Sequence, residues 1–232
     1  MAANIRHSSE NSEFLTPQWL TDWSHYVLGI THGVGGIDLD PASSLQANRT
    51  VRAKRIFTKA DNGLFQDWHG NVFLNPPGGL VDEAGREVIR KTKKRQGCTE
   101  SGACGLPPGH THSGVESSAV VWWHKLMHEF VKKDGVEKAV FLGFSLEILQ
   151  SAQTFNSYQP LHFPCSIPKQ RIRFETEDEN GIRHQGEQPT HGNIIVLVHK
   201  RDLMYANPQF ESVNRFRDTF SQIGYVHVPR GY

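Results

Sequence analysis

The chain has 232 residues, of which 37% are hydrophobic and 10% aromatic, and its formal net charge is +1 at pH 7. This size and composition suit one soluble globular domain, and a near-neutral charge neither favours nor excludes nucleic acid, because the clustering of charges decides that. No apolar run could span a bilayer, and the N-terminus lacks the apolar core of a signal peptide, which together predict a cytoplasmic protein. Three cysteines indicate reduced thiols rather than a disulfide framework.

Helical and strand patterns alternate along the chain. After a polar lead over residues 1–13, which we expect to be disordered, Pro17 suits the first position of a helix over 17–28, and Thr16 can cap it. Two strands are predicted to end at Asp40 and Asn75. The later pattern predicts a helix over residues 119–133, a buried strand over 136–144, a strand over 193–199 and a helix over about 211–222. This alternation is typical of an α/β fold arranged as a three-layer sandwich, here a single domain over 14–232.

The first strand end carries two carboxylates. Asp38 and Asp40 alternate with Ile37 and Leu39, so on a strand both carboxylates would share a face, with Asp40 at the tip before Pro41. In an open α/β sheet, ligands bind beyond the carboxyl ends of the strands. A carboxylate there suits the amino group of a methionine moiety or a ribose hydroxyl, although an aspartate at such a place is also an ordinary helix cap.

The second strand end, Asn75-Pro76-Pro77, is the most informative feature of the sequence. The two prolines donate no backbone N–H and fix their own φ, so the carbonyl groups of the turn are held in place. The Asn75 side-chain oxygen and the Pro76 carbonyl could together accept both hydrogens of an exocyclic amine, which draws the nitrogen lone pair toward an electrophile. Methylation of an adenine or cytosine amine requires this, whereas the same residues also form bland strand-ending turns.

Taken in order, these motifs resemble the phage Dam-type DNA N6-adenine methyltransferases, which use S-adenosylmethionine. The resemblance covers most of the chain and implies a Rossmann-like methyltransferase fold with a mostly parallel sheet. The matching segments are Phe14-Leu15-Thr16-Pro17-Gln18-Trp19-Leu20, Asp38-Leu39-Asp40-Pro41-Ala42-Ser43, Asn48, Phe57 to Leu64, Asp67-Trp68, Asn75-Pro76-Pro77, Arg171-Ile172-Arg173-Phe174, Gln188-Pro189-Thr190 and Phe216 to Val226.

The resemblance also implies roles for individual residues. Thr16 and Pro17 would contact the methionine part of the cofactor. Asp38 or Asp40, with Pro41 behind it, would bind the amino group or the ribose. Three residues are alternatives for the contact with the cofactor's adenine: Asp61, Asn62 and Asp67. Trp68 is either a stacking face for that adenine or a core aromatic.

The chain departs from the family directly after the Asn-Pro-Pro turn, where Gly78 and Gly79 replace the usual aromatic. That ring normally stacks on the target base once it is flipped from the duplex, a contact worth ~1–3 kcal/mol. Either another ring fills the slot, or the pocket admits a bulkier base or cofactor, or activity is lost. Trp122 and Trp123 are candidates for the substitute, although we expect at least one of them to pack its helix onto the sheet.

Residues 80–118 interrupt the family pattern directly after the turn. A long loop inside a compact domain is usually functional or disordered. A basic piece with Lys93, Lys94 and Arg95 is predicted to engage DNA, although such runs are most often solvated helix faces. The same loop holds two thiols and two imidazoles that could form a tetrahedral zinc set, but the spacing is not that of the usual Cys-x-x-Cys knuckle and favours residues without metal. These four are Cys98, Cys104, His110 and His112.

Together the motifs predict a site-specific adenine methyltransferase that acts on double-stranded DNA in a bacterial or phage-infected cell. The target base would swing out of the helix, Asn75 and Pro76 would orient its amine, and the sulfonium methyl would be attacked in line, without a covalent intermediate or a metal. One alternative is a catalytically dead DNA-binding module of the same fold, which the missing aromatic motivates. Another is an amino-methyltransferase that acts on RNA or on a protein amide.

Overall fold

A central sheet of seven strands organises the chain. The computed structural model describes residues 14–29, 36–78, 80–81, 116–153, 158–178, 180–186, 191–199 and 208–230. The strands of the central sheet are β1 (Leu39–Asp40), β2 (Arg55–Ile56), β3 (Gly70–Leu74), β6 (Val136–Gly143), β7 (Cys165–Pro168), β10 (Ile194–His199) and β11 (Gly224–His227). Two small ladders stand apart from it, β4 (Leu80–Val81) with β5 (Glu116–Ser117) and β8 (Glu175–Glu177) with β9 (Arg183–Gln185).

Five α-helices accompany these strands in the described part of the chain. They are α1 (Gln18–Leu28), α2 (Leu45–Val51), α3 (Ser118–Val131), α4 (Ile148–Ser151) and α5 (Pro208–Phe220), and single 3₁₀ turns lie at Gly63–Phe65 and Pro160–His162. The predicted helices over 119–133 and 211–222 correspond to α3 and α5. None of the helices within the described ranges is both long enough and apolar enough to cross a bilayer.

The sheet is mixed rather than uniformly parallel. Its order is β11-β7-β10-β6-β3-β1-β2; the pairings from β6 to β2 are parallel, and those from β6 to β11 are antiparallel. Strands β1, β2, β3, β6 and β7 therefore point one way, and β10 and β11 point the other way. The expected mostly parallel sheet holds for strand direction, but only one half of the sheet has parallel pairings. We call the edge where β1, β3, β6 and β7 end the carboxyl edge.

Helices cover both faces of this sheet. Alternate residues of β3 face opposite sides, so Val72 and Leu74 pack in the cluster with Trp123 of α3 while Phe73 packs in the cluster with Leu20 of α1. Strands β6 and β10 alternate in the same way and are buried along most of their length. The three-layer α/β arrangement expected from the sequence is thus present.

The start of α1 differs from the prediction. The helix begins at Gln18, with Pro17 at the N-cap position in an extended conformation and without a side-chain cap. Thr16 lies one residue too early to cap the helix, so that prediction was wrong. The Thr16 hydroxyl instead accepts a hydrogen bond from Asn75.

The inserted loop leaves and returns through one ladder. Leu80 pairs with Ser117 and Val81 with Glu116, and β5 leads directly into α3. Several predictions fall outside the described residues: the lead over 1–13, Gly79, the family motif at 188–190, and the inserted residues Lys93, Lys94, Arg95, Cys98, Cys104, His110 and His112.

Candidate active site

The two predicted turns lie side by side at the carboxyl edge. β1 and β3 are parallel neighbours with Leu39 opposite Val72, so Asp40 at the end of β1 and Asn75 after β3 both reach this edge. Asp40 is buried, with 3% of its surface exposed. Asn75 is half-buried, Pro76 is buried and Pro77 is exposed.

Asn75 contacts a second predicted motif. Its Nδ2 donates a hydrogen bond of 3.1 Å to the hydroxyl of Thr16, which lies 59 positions earlier in the chain. Thr16 is buried, and the residue before it, Leu15, forms an antiparallel bridge with Glu175 through backbone hydrogen bonds of 2.7 and 2.9 Å. The N-terminal Thr-Pro segment and the Asn-Pro-Pro turn therefore form one site.

This contact leaves two acceptors at the turn. Because Nδ2 is used toward Thr16, Oδ1 of Asn75 is the part of the amide that remains for a ligand. No hydrogen bond from the described residues reaches Oδ1 of Asn75 or the carbonyl of Pro76. One acceptor is on an amide held by Thr16, and the other is on the backbone of a buried proline. Two acceptors on adjacent residues suit a ligand with two N–H groups.

Asn62 and Pro41 meet beside Asp40. Asn62 has a left-handed φ of 49°, which turns the chain so that Gly63 lies against the Pro41 carbonyl. A β-carbon at position 63 would stand 2.0 Å from that oxygen, so only glycine fits there. Oδ1 of Asp40 accepts the amide of Ala42 at 3.2 Å. Three predicted cofactor residues, Asp40, Pro41 and Asn62, are thus gathered near one strand end.

Asp38 has a different environment from Asp40. One oxygen of its carboxylate accepts the backbone amide of Asn71 at 2.8 Å, and the other pairs with Lys54 at 2.8 Å. Asp38 precedes β1, which covers only two residues. Of the two aspartates, Asp40 is the one at the carboxyl edge, and Asp38 ties β1 to β3.

Asp67 and Trp68 are not part of the gathered site. The carboxylate of Asp67 is exposed and pairs with Lys132 at 3.0 Å, and this hydrogen bond lowers the pKa of the carboxyl. Asp67 lies before the start of β3, and the five residues of that strand span about 16 Å to the Asn75 end. Trp68 is fully buried and donates to the Gly63 carbonyl at 2.8 Å, so it is a core aromatic.

The aromatic residues proposed to replace the missing ring are buried as well. Trp122 stacks on Trp68 with ring centroids 5.9 Å apart, and Trp123 packs edge-on against Phe141 at 5.2 Å. Neither can stack on a base, so the prediction that one of them fills the slot was wrong. A β-carbon at Gly78 would meet no atom of the described residues within 4 Å.

Thiol and metal chemistry find no support in the described part of the chain. Cys165 follows Pro164 but is buried in β7, and burial raises the pKa of its thiol to about 11. It therefore cannot provide the thiolate needed to attack a cytosine ring carbon. No group of three or more histidine, cysteine, aspartate or glutamate side chains that could hold a metal ion occurs among the described residues.

Sequence reasoning missed a row of cations at the carboxyl edge. Lys169, Arg171 and Arg173 are exposed at alternate positions after β7, and Ile172 between the two arginines is buried. The alternation of basic residues with a buried residue was the available signal. Only the topology shows that the row begins at the edge that carries Asn75, because β7 runs parallel to β6.

Comparison of the chain with protein-family models, with curated proteins and with solved structures finds no match.

Proposed function

We propose that this chain is a DNA adenine-N6 methyltransferase with a Rossmann-like methyltransferase fold, which uses S-adenosylmethionine. The observation that carries the proposal is the hydrogen bond between Asn75 and Thr16. It joins two motifs that the family resemblance had assigned to one active site, and in this orientation of the amide Oδ1 has no partner among the described residues.

The turn provides the chemistry that amine methylation needs. The Asn75 oxygen and the Pro76 carbonyl accept the two amine hydrogens, which turns the nitrogen lone pair out of conjugation with the ring. Both acceptors are held in place before the reaction, Asn75 by Thr16 and Pro76 by its own ring and by burial. The amine nitrogen would gain the methyl group as the bond from that group to sulfur breaks and leaves its electron pair on sulfur. The nitrogen would then give one proton to water, and the turn would hold the amine throughout.

The cofactor residues fit the donor and acceptor groups of S-adenosylmethionine. The buried carboxylate of Asp40 suits an ammonium or a ribose hydroxyl, and Asn62 offers an amide beside it. The backbone of Gly63 packs directly against the Pro41 carbonyl at this point. When bound, S-adenosylmethionine supplies an electrophilic methyl group. Thr16 and Pro17 would adjoin its methionine part, as the family resemblance implies.

A second candidate function is a DNA-binding module of the same fold without activity. The observation that favours it is Gly78, which provides no side chain to hold a flipped base. An RNA base or a protein amide as the acceptor would use the same pair of oxygens. In each case the insertion with Lys93, Lys94 and Arg95 is proposed to contact the anionic partner, and this stays a prediction.

The test is the variant Asn75→Ala. We expect turnover with DNA to fall at least ~100-fold while affinity for S-adenosylmethionine is unchanged, because the lost acceptor matters chiefly in the transition state. Gln222→Ala, which removes an exposed amide just beyond α5, is the matched control and should retain full activity. Near-normal methylation by Asn75→Ala would remove the turn from the mechanism. Wild-type protein that binds cofactor and DNA without methyl transfer would support the inactive module.

A further inference from the structure

A pocket of about 250 Å³ borders the candidate active site. It lies between the start of α1 and the β8–β9 hairpin. Its lining residues are Pro17, Trp19, Arg173, Glu175, Arg183, His184 and Gln185. Pro17 directly follows Thr16, which contacts Asn75, and adjacent Cα atoms are about 3.8 Å apart. A ligand in this pocket would therefore lie close to a base held at the Asn75 turn.

The pocket offers an aromatic face. The side chain of Trp19 is packed edge-on against Trp23, with ring centroids 4.9 Å apart, and 38% of Trp19 stays exposed. A tryptophan that is fixed at one edge and open on the other side is a stacking platform with little conformational entropy to lose.

The pocket also offers one cation whose charge is not neutralised. Arg183 pairs with Glu175 at 3.5 Å and with Glu177 at 3.7 Å. Arg173, by contrast, is exposed and donates only to the amide oxygen of Gln185, at 3.4 Å, and none of the described carboxylates pairs with it. Its guanidinium is therefore available to an anion.

The surroundings extend this positive charge. Lys169 and Arg171 precede Arg173 at alternate positions and are exposed like it. The three cations form a row from the end of β7 to the pocket. A row of cations that leads to an exposed ring is the arrangement by which proteins hold a nucleic-acid strand, with phosphates on the cations and a base on the ring.

We propose that this pocket binds a nucleotide of the DNA strand next to the target adenine, with its base on Trp19 and its phosphate on Arg173. The inference rests on the proposed function, because a neighbouring nucleotide must be accommodated when the target base leaves the duplex. Of the predicted cofactor residues, Pro17 alone borders the pocket, whereas Asp40, Pro41 and Asn62 lie at or after the end of β1.

The two contacts predict different signatures in a titration of a fluorescein-labelled random-sequence duplex at several salt concentrations. Trp19→Ala should weaken DNA binding about 5- to 150-fold without changing the salt slope, because stacking carries no charge. Arg173→Gln should lower the slope of log affinity against log salt by roughly 0.7–0.9, the effect of one phosphate contact. Trp19→Phe should preserve the affinity of the wild type, and Arg173→Lys its slope.

Two control variants and a second ligand complete the experiment. Tyr26→Ala removes another exposed ring of α1, and Lys133→Gln removes an exposed cation beside the start of β6; both should bind DNA like the wild type. Affinity for S-adenosylmethionine should be equal in all variants by calorimetry. Pocket variants that match their controls, or that weaken only cofactor binding, would overturn the inference. Methyl transfer by the wild type reports separately on the proposed function, so failure of the pocket and failure of the enzyme assignment are distinguishable.

Discussion

At the scale of single residues, the site depends on how one amide is oriented. The Asn75 amide donates from Nδ2 to the Thr16 hydroxyl, and this contact orients its oxygen toward a substrate. Thr16 is itself held by burial and by the Leu15–Glu175 bridge. The structure therefore gives Thr16 a positioning role in addition to the cofactor contact that the family resemblance implies.

Replacing Thr16 by valine tests this role. Thr16→Val keeps the shape of the side chain but removes the acceptor, so we expect kcat to fall about 3- to 10-fold, the value of one neutral hydrogen bond. Thr16→Ser should restore most of the rate. Steady-state kinetics and calorimetry together decide between the two roles: a loss confined to cofactor affinity, with kcat unchanged, would contradict positioning of Asn75.

Gly78 is the second residue with a defined consequence. Because a β-carbon at this position meets no atom of the described residues within 4 Å, Gly78→Tyr should fold normally and bring an aromatic to the place where the family has one. Stacking on the flipped base should tighten binding of a duplex that contains target sites by ~1–3 kcal/mol. Gly78→Ala is the control. Equal DNA affinity in the tyrosine and alanine variants would show that no base reaches this position.

Asp38, which precedes β1, and Asp40, at the end of β1, form a matched pair for testing cofactor binding. Asp40→Asn should weaken S-adenosylmethionine affinity by roughly 1.5–3 kcal/mol, the scale of a charge-assisted hydrogen bond. Asp38→Asn should leave that affinity unchanged, because Asp38 is engaged with Asn71 and Lys54. Titration calorimetry on both variants is the measurement, and the reverse order of effects would assign the cofactor to Asp38.

At the scale of elements, α1 and the residues just before it connect the end of α2 to the Asn75 turn. Its residue His25 is buried and hydrogen-bonds through Nε2 to the carbonyl of Val51, at the end of α2, at 2.7 Å. Burial lowers the pKa of His25, and this effect outweighs the hydrogen bond to Val51, which raises it. The imidazole is therefore neutral in the folded chain and donates from Nε2.

This pKa shift predicts a pH dependence of stability. Below about pH 6.5 the unfolded chain binds a proton at His25 that the folded chain does not, so the free energy of unfolding falls as the pH drops. His25→Gln keeps a donor for Val51 but removes the titration. Chemical denaturation between roughly pH 7 and pH 5 should show a shallower loss of stability in this variant than in the wild type. An identical pH slope in both proteins would mean that His25 is protonated in the folded state.

Elements with long, regular patterns were predictable from the sequence, and several short ones were not. The predicted strands over 136–144 and 193–199 match β6 and β10 closely, because their apolar runs are continuous. β7 has four residues and ends in a proline, and the hairpin strands β8 and β9 have three residues each with polar side chains. Local patterns cannot identify such strands, which form only because the sheet or a partner strand completes their hydrogen bonds.

At the scale of the whole molecule, strand order decides which predicted residues can act together. Asp40, Asn75 and the end of β7 lie along the same edge because β1, β3, β6 and β7 run the same way, and β10 and β6 separate β7 from β3. The sequence predicted the turns at Asp40 and Asn75, since each polar motif follows an apolar run. It could not separate Asp40 from Asp38 or place Asp67 and Trp122, because those distinctions depend on Lys54, Lys132 and Trp68, which only the folded chain brings near.

The insertion enters at the same edge. Strand β4 starts at Leu80, three residues after Pro77, and its partner β5 leads directly into α3. The loop that carries Lys93, Lys94 and Arg95 is thus joined to the fold beside the Asn75 turn, and the cation row after β7 begins at the same edge. Both surfaces are proposed to engage DNA.

The central claim is that the Asn75 turn directs a methyl group to the amine of adenine in DNA. The most direct measurement is nucleoside mass spectrometry of DNA from cells that express the wild-type chain or Asn75→Ala. We expect N6-methyladenine in DNA from cells that express the wild-type chain. In DNA from cells that express Asn75→Ala we expect at least ~100-fold less of it. DNA without N6-methyladenine in wild-type cells, or equal amounts with both chains, would contradict the central claim.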